Sequence, residues 1–376
     1  MGRSRSPGLR KRGRIWHIDK QLRGYGTLCE STGTSELEEA QRYLGKRCEE
    51  IRQAIVYGVR PKRRFRQAAT KFLLENQHKA SIATDALFFR QLDPFIGELA
   101  LEQVHDGTLA RFVEARRKDG RQPKTINLAL GVVRRTLNLA ARKWRDECGL
   151  TWLPTAPLIS MLPVTDARQP YPLSWEEQRL LFRQLPPHLQ RMALFKVNTG
   201  TRDQEVCALR WEWEVKFPEL GTSVFVIPGR RVKNGEDRVV VLNAVAKSVV
   251  EEGREQHPDY VFSYRNKPIA TMHNSGWQSA RRRAAAHYEA ELGEPAPEGF
   301  RNIRVHDLKH TFGRRLRAAG VSLETRKVLL GHTTGDITSH YSAPELQELI
   351  EAANKVCAGD SGKTPALTLI KTKAVR

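Results

Sequence analysis

Thr199-Gly200-Thr201-Arg202-Asp203-Gln204-Glu205-Val206-Cys207-Ala208-Leu209-Arg210-Trp211 is the stretch from which the rest of the chain can be read. A glycine-containing turn leads into a helix whose apolar positions, Val206 and Leu209, face inward. Arg202 then stands at a helix N-terminus, where free backbone N–H groups already favour an anion. Glu205, three residues on, can reach back and hold the guanidinium fork. A surface Arg–Glu pair of little energetic value would leave the same trace, so the neighbouring segments decide its meaning.

Downstream, Thr222 to Pro228 and Arg231 to Val241 are β-branched runs on either side of Asn234-Gly235, a hairpin signal. The turn would project Lys233 from a sheet edge. Lysine carries a movable proton, so it can act as a general acid where arginine cannot. In Arg304-Val305-His306-Asp307-Leu308-Lys309-His310-Thr311-Phe312, helical spacing puts His306, Lys309 and His310 on one side, with Leu308 and Phe312 packing inward. A zinc site is disfavoured, because the glutamate of H-E-x-x-H is missing and no third ligand follows. A phosphohydrolase built on His306-Asp307 lacks further His and Asp partners. In Leu329-Leu330-Gly331-His332, Gly331 reads as a left-handed helix C-cap that turns His332 out of line. Tyr341 follows in a polar stretch before a helix bearing Leu346, Leu349, Ile350 and Ala353.

Upstream, Pro154, Pro157, Pro163, Pro170 and Pro172 deny backbone donors and break helices, so residues 147–173 read as a linker. Ser174 with Glu177 forms a capping box that opens a domain over 174–357. Residues 61–146 read as all-helical. The clearest helix starts near Thr125, with Ile126, Leu130, Val133, Leu137, Ala140 and Trp144 on one face and Arg134 and Arg135 on the others. Residues 1–60 read as a basic tail and a small module: strand-like pieces over 14–20 and 26–30, then a helix behind a Ser35/Glu38 capping box carrying Leu37, Leu44, Cys48, Ile51 and Ile55. Residues 358–376 read as a flexible tail.

The 376 residues carry 63 Lys+Arg against 42 Asp+Glu, a formal charge of +21 that points to a polyanion or serves solubility. Arg63, Arg64 and Arg66 crowd one basic cluster, Arg230 and Arg231 another, as separate contacts along a phosphate backbone would. Apolar residues at 40% argue against wholesale disorder. No apolar run reaches the ~20 residues of a membrane helix. The five cysteines read as reduced thiols with no metal or redox pair.

The series Arg202, Lys233, His306-x-x-Lys309, His332, Tyr341 resembles the tyrosine recombinase (phage integrase) family. That family has arginine in a T-G-x-R turn, lysine in a β-hairpin, an H-x-x-R helix, an L-G-H element and a C-terminal tyrosine nucleophile. The resemblance implies a multidomain, mainly α protein with small β-sheets: a small α+β arm-type DNA-binding module, an all-helical core-type DNA-binding domain and a mixed α+β catalytic domain. It implies a prophage or mobile-element integrase that cuts and rejoins DNA through a 3′-phosphotyrosine, with no cofactor or metal. Arg202, Lys233, His306, Lys309, His332 and Tyr341 would be catalytic, supported by Glu205. Arg63, Arg64, Arg66, Arg134, Arg135, Arg230 and Arg231 would contact DNA. Partners would be double-stranded attachment sites, three further copies in a homotetramer, and a DNA-bending protein or an excisionase; the setting would be the bacterial cytoplasm, at the nucleoid, with no membrane partner. The segment after Tyr341 would dock on a neighbour or pack in cis. One position departs: Lys309 stands where the family has its second arginine, and lysine lacks the planar fork. Two alternatives follow, an impaired DNA-binding or regulatory protein and a type IB topoisomerase-like enzyme.

Overall fold

Ile18 and Leu28 sit on neighbouring strands and give the N-terminal sheet its buried face. A computed structural model describes residues 7–165, 168–232, 235–332 and 343–357. The chain divides into two units, 1–167 and 168–376.

In the first unit, β1 (Leu9–Arg12), β2 (Ile15–Leu22) and β3 (Gly26–Ser31) form an antiparallel sheet that packs through Ile18 and Leu28 on Leu44 and Ile51 of α1 (Leu37–Tyr57). Two local expectations are corrected. Leu9–Arg12, read as basic tail, is a strand, paired Leu9 to Ile18. The α1 cap is not a Ser35/Glu38 box. Trp16 holds the turn, its Nε1 donating to the Ser35 carbonyl (3.0 Å), and the Thr34 hydroxyl accepts from the Glu36 N–H (3.2 Å). Glu36 is the N-cap residue, and α1 has no side-chain cap.

Helices α2 (Phe65–Glu75), α3 (Ile82–Ile96), α4 (Asp106–Lys118) and α5 (Pro123–Arg142) close around Phe65, Phe72, Phe89, Phe112 and Leu137. The α5 stripe Ile126, Leu130, Val133, Leu137, Ala140 is buried as its spacing predicts, and Trp144 is buried beyond the helix end. The first part of the proline-rich segment is not a linker. Leu153 and Ile159 are buried in the helical core, and Asn127 clamps the Leu162 backbone through both its amide atoms (2.8 Å each). Prolines here rule out helix but still allow extended chain to pack. Arg47 on α1 reaches Glu30 (2.8 Å), Glu50 (2.7 Å) and Glu147 (2.5 Å), fastening the N-terminal module to the turn after α5.

The second unit begins with α6 (Trp175–Gln184), whose capping box is formed: Glu177 N–H to Ser174 Oγ at 3.0 Å, Ser174 N–H to Glu177 Oε2 at 2.8 Å. Such a cap stabilises a helix by about 1 kcal/mol. Then come α7 (Pro187–Thr199), α8 (Asp203–Cys207), β4 (Glu214–Phe217), β5 (Thr222–Ile227), β6 (Arg238–Val241), α9 (Ala244–Glu251), β7 (Ser263–Tyr264), β8 (Lys267–Pro268), α10 (Ser275–Leu292), α11 (Glu298–Arg301), α12 (Asp307–Ala318), α13 (Leu323–Leu329) and α14 (Ala343–Asn354). Strands β4-β5-β6 form an antiparallel sheet with Ile227 opposite Arg238. The connection between β5 and β6 is a longer loop, not a two-residue Asn-Gly turn. Pro228 offers no N–H to the ladder, a tight turn forms at Gly229–Arg231, and Asp237 accepts from the Gly229 N–H (2.7 Å). Phe195, Phe225, Trp277 and Phe300 centre the main core. A second cluster packs Phe312, Leu316 and Leu329 against Leu349 and Ala353 of α14, so this helix is seated in cis.

Candidate active site

Gly200 ends α7 in the left-handed conformation (φ +62°) and lets the chain reverse into α8; a Cβ there would meet Phe312 Cδ1 at 2.7 Å. The reversal places Arg202 as the N-cap of α8. Its backbone N–H donates to Glu205 Oε2 (2.6 Å), its Nη1 to Glu205 Oε1 (2.7 Å), and its Nη2 to the Gly331 carbonyl (3.0 Å).

Sequence reasoning missed the second partner of Glu205. Arg238, at the start of β6, donates Nη1 to Glu205 Oε2 and Nη2 to the Gly200 carbonyl (3.1 Å) and the Leu329 carbonyl (3.4 Å). It is 4% exposed, and burial lowers its pKa to about 10 against the pull of Glu205. The available signal was parity: Arg238 shares the inward face of β6 with Val240. Lys196 on α7 was also missed. It is fully buried, donates to the Thr201 carbonyl, and burial lowers its pKa to about 8.

Helix α12 brings the next group. His306 occupies the N-cap position without a side-chain capping bond, and the rings of His306 and His310 lie 4.9 Å apart, edge to face. Lys309 points inward and donates Nζ to the Leu330 carbonyl. Leu330 and Gly331 (φ +60°) follow α13, so their two consecutive carbonyls receive Lys309 and Arg202. His332 follows directly. His306, Lys309, His310, Leu330 and His332 line one cleft of about 460 Å³.

The electrostatics follow from crowding. Burial, then Arg238 and Arg202, lower the Lys309 pKa to about 6, with Glu205 opposing. Burial would raise Glu205, but Arg238 and Arg202 hold it below the usual carboxylate range. His332 is lowered by burial and by Lys309, Arg202 and Arg238. His306 is lowered by burial, His310, Lys196 and Lys309, with Asp307 opposing. Crowded cations and burial thus disfavour the charged forms of the lysine and histidines lining this cleft, and an anion among them would favour those forms.

Lys233 and Tyr341 lie outside the described residues. Arg230 and Arg231 are exposed in the turn after β5, and Arg134 and Arg135 are exposed on α5. Arg64 and Arg66 are engaged by acids: Glu98 with both, Asp93 with Arg66 at 2.8 Å. Arg63 stacks on Trp152, 4.1 Å from the ring centre. Among the described residues, no group of three or more His, Cys, Asp or Glu is placed to hold a metal, and no helix is long and apolar enough to cross a membrane.

Residues 179–348 match the Phage integrase family, and they contain Arg202, Glu205, Arg238, His306, Lys309 and His332. The chain is also 23% identical to the integrase of Salmonella phage P22, over 97% of this chain and 98% of that one. Residues 179–348 are thus a phage integrase domain. The chain is 30% identical to tyrosine recombinase XerC of Pelobacter propionicus over 49% of this chain and 63% of the relative. Its fold is that of the Tn1549 transposon integrase solved with circular intermediate DNA (TM-score 0.52, 14% identity, 76% of this chain and 98% of that one). A lambda integrase tetramer bound to a Holliday junction is similar (TM-score 0.51, 11% identity, 90% and 99%).

Proposed function

We propose that this protein is a prophage or mobile-element integrase that cuts and rejoins DNA through a 3′-phosphotyrosine on Tyr341. The observation that carries the reading is the convergence of Arg202 and Lys309 on the consecutive carbonyls of Gly331 and Leu330, beside His332 and His306. A phosphodiester is anionic, and its displacement spreads negative charge over the non-bridging oxygens. Preorganised cations and donors stabilise that charge.

Tyr341 Oη attacks phosphorus and the P–O5′ bond breaks. His306 manages the proton of the tyrosine, whose hydroxyl at a reference pKa of about 10 is a poor nucleophile unaided. Lys233 protonates the departing 5′-oxygen. Arg202, Lys309 and His332 hold the phosphoryl oxygens. The broken ester's energy is kept in the phosphotyrosine, so neither ATP nor a metal ion is required, and a partner strand's 5′-hydroxyl reverses the step. Lys309 recharges when the phosphate enters and then acts as a point charge where the family has a fork. By the same reading the protein works as a homotetramer on two attachment sites, with Arg134, Arg135, Arg230 and Arg231 on phosphates and accessory DNA-bending proteins as further partners.

A nicked suicide duplex tests this. The full chain should form a covalent protein–DNA adduct in EDTA without ATP, and Tyr341→Phe should abolish it. An adduct that survives Tyr341→Phe rules out this nucleophile.

A further inference from the structure

The dipeptide His306-Asp307 stands out in the sequence, yet the proposed chemistry uses only its histidine. Asp307 is 2% exposed and its carboxylate accepts three hydrogen bonds. Oδ2 accepts from Arg168 Nη1 (2.9 Å) and from the Arg304 N–H (2.8 Å); Oδ1 accepts from the Tyr171 N–H (3.2 Å). Two of these donors belong to residues 168–173, the first stretch of the second unit.

That stretch is fastened at other points too. The Leu173 N–H donates to Thr311 Oγ1 (3.0 Å), which in turn donates to the Asp307 carbonyl (2.8 Å). The Tyr171 hydroxyl donates to Glu177 Oε1 (2.5 Å). Tyr171 lies so close to Gly299 that a Cβ there would run into its ring. Pro170 and Pro172 form a wall of the 460 Å³ cleft, facing His306, Lys309 and His310. The strap and the catalytic face of α12 therefore share one carboxylate.

We propose that Asp307 is a positioning residue which, by fastening residues 168–173 to the N-terminus of α12, sets where His306, Lys309 and His310 stand around the reacting phosphodiester. The proposal rests on the function given above. A first-turn carboxylate also stabilises a helix by its charge alone. That role would need neither Arg168 nor the Tyr171 N–H, and it would lie on stability rather than on rate.

The charges around the histidine pair supply a separate readout. His306 and His310 face Lys196 from α7, Lys309 and Asp307 from their own helix, and Arg168 from the strap, while Arg314 and His332 line the same cleft. Asp307 raises both imidazoles, and Arg168 lowers His310. Removing the aspartate charge should move the acid limb that His306 sets to lower pH, whereas Arg168, which acts on His310, should leave that limb in place.

The test is single-turnover cleavage of the suicide duplex by the full chain, with the DNA dissociation constant measured separately. Asp307→Asn should slow cleavage about tenfold with affinity changed less than twofold. Arg168→Gln should slow it similarly, and the double variant should be no slower than the worse single one. The acid limb should move to lower pH in Asp307→Asn and stay in place in Arg168→Gln. Unchanged cleavage in Asp307→Asn, or a loss confined to melting temperature with its acid limb fixed, overturns the proposal. Should Asp307→Asn lose cooperative unfolding, Arg168→Gln, at the edge of the site, carries the same rate test. A wild-type chain that forms no adduct refutes the proposed function itself, and this inference with it.

Discussion

A Cβ on Gly331 would come within 2.5 Å of Nε of Arg238. The two residues therefore fix each other: the absence of a side chain at 331 leaves room for a buried guanidinium, which braces the turn leading to His332. Gly331 also has φ +60°, a conformation L side chains rarely adopt. Gly331→Ala should displace both the Arg238 guanidinium and the carbonyl that accepts from Arg202. Cleavage of the suicide duplex should fall about a hundredfold, comparable to losing one transition-state donor. Binding of a pre-formed core site should stay within a fewfold in a gel-shift measurement.

Glu205 is the common counter-charge of Arg202 and Arg238. In Glu205→Gln the buried Arg238 keeps its charge and loses its carboxylate. Removing one partner of a buried pair costs roughly 3–5 kcal/mol, and urea unfolding should show a loss of that order. Glu205→Asp, which keeps the charge on a shorter arm, should recover part of it. Full stability in Glu205→Gln would mean that Arg238 is not charged in the folded protein.

Lys309 gives a pH dependence whose sign can be worked out. Its folded pKa of about 6 lies below the ordinary value of 10.5. Between those values the unfolded chain binds more protons than the folded one, so stability rises with pH across that window. Lys309→Met should flatten the rise, measured as unfolding midpoints at pH 6.5 and 8.5; Lys196, at about 8, contributes the same sign and remains. An entering phosphate should restore the charge, so DNA binding should take up a proton near pH 7.5, visible by calorimetry in buffers of different ionisation enthalpy. Lys309→Arg should reduce the uptake, leaving the share of the histidines, and keep cleavage.

Basic residues in the first unit should sort by their partners. Arg134 and Arg135 are exposed on α5, whereas Arg66 is held by Asp93 and Glu98. If α5 lies on phosphates, Arg134→Ala should reduce the salt dependence of DNA binding by about one counterion. Arg66→Ala should change it less. Equal slopes for the two variants would show that the ion pairs around Arg66 open on DNA.

What the sequence made legible was local periodicity and order. The α5 stripe, the Ser174/Glu177 cap, the Gly331 conformation and the Arg202–Glu205 pairing all follow from spacings of three or four residues. What it hid depended on distant chain. The Ser35/Glu38 box does not form, because Trp16, far back on β2, holds the Ser35 carbonyl and the helix starts one residue later at Glu36. The core role of Leu153 and Ile159 was masked by prolines, which report backbone shape but say nothing of burial. Arg238 becomes a hub only because Gly200, Glu205 and Leu329 meet there, and no single stretch contains that meeting. Lys233 and Tyr341, both singled out in the sequence, lie outside the described residues and stand on the proposed chemistry alone.

Arg47 has a consequence for anyone cutting or transplanting the front of this protein. Three acids converge on it, and one of them, Glu147, sits about a hundred positions later, beyond all four bundle helices. A truncation at residue 60 would orphan that acid and strip Cys148 of its apolar neighbours. A foreign module grafted in its place would have to bring its own cation to the same spot. The front end is therefore keyed to its host bundle and should not be treated as an interchangeable bead.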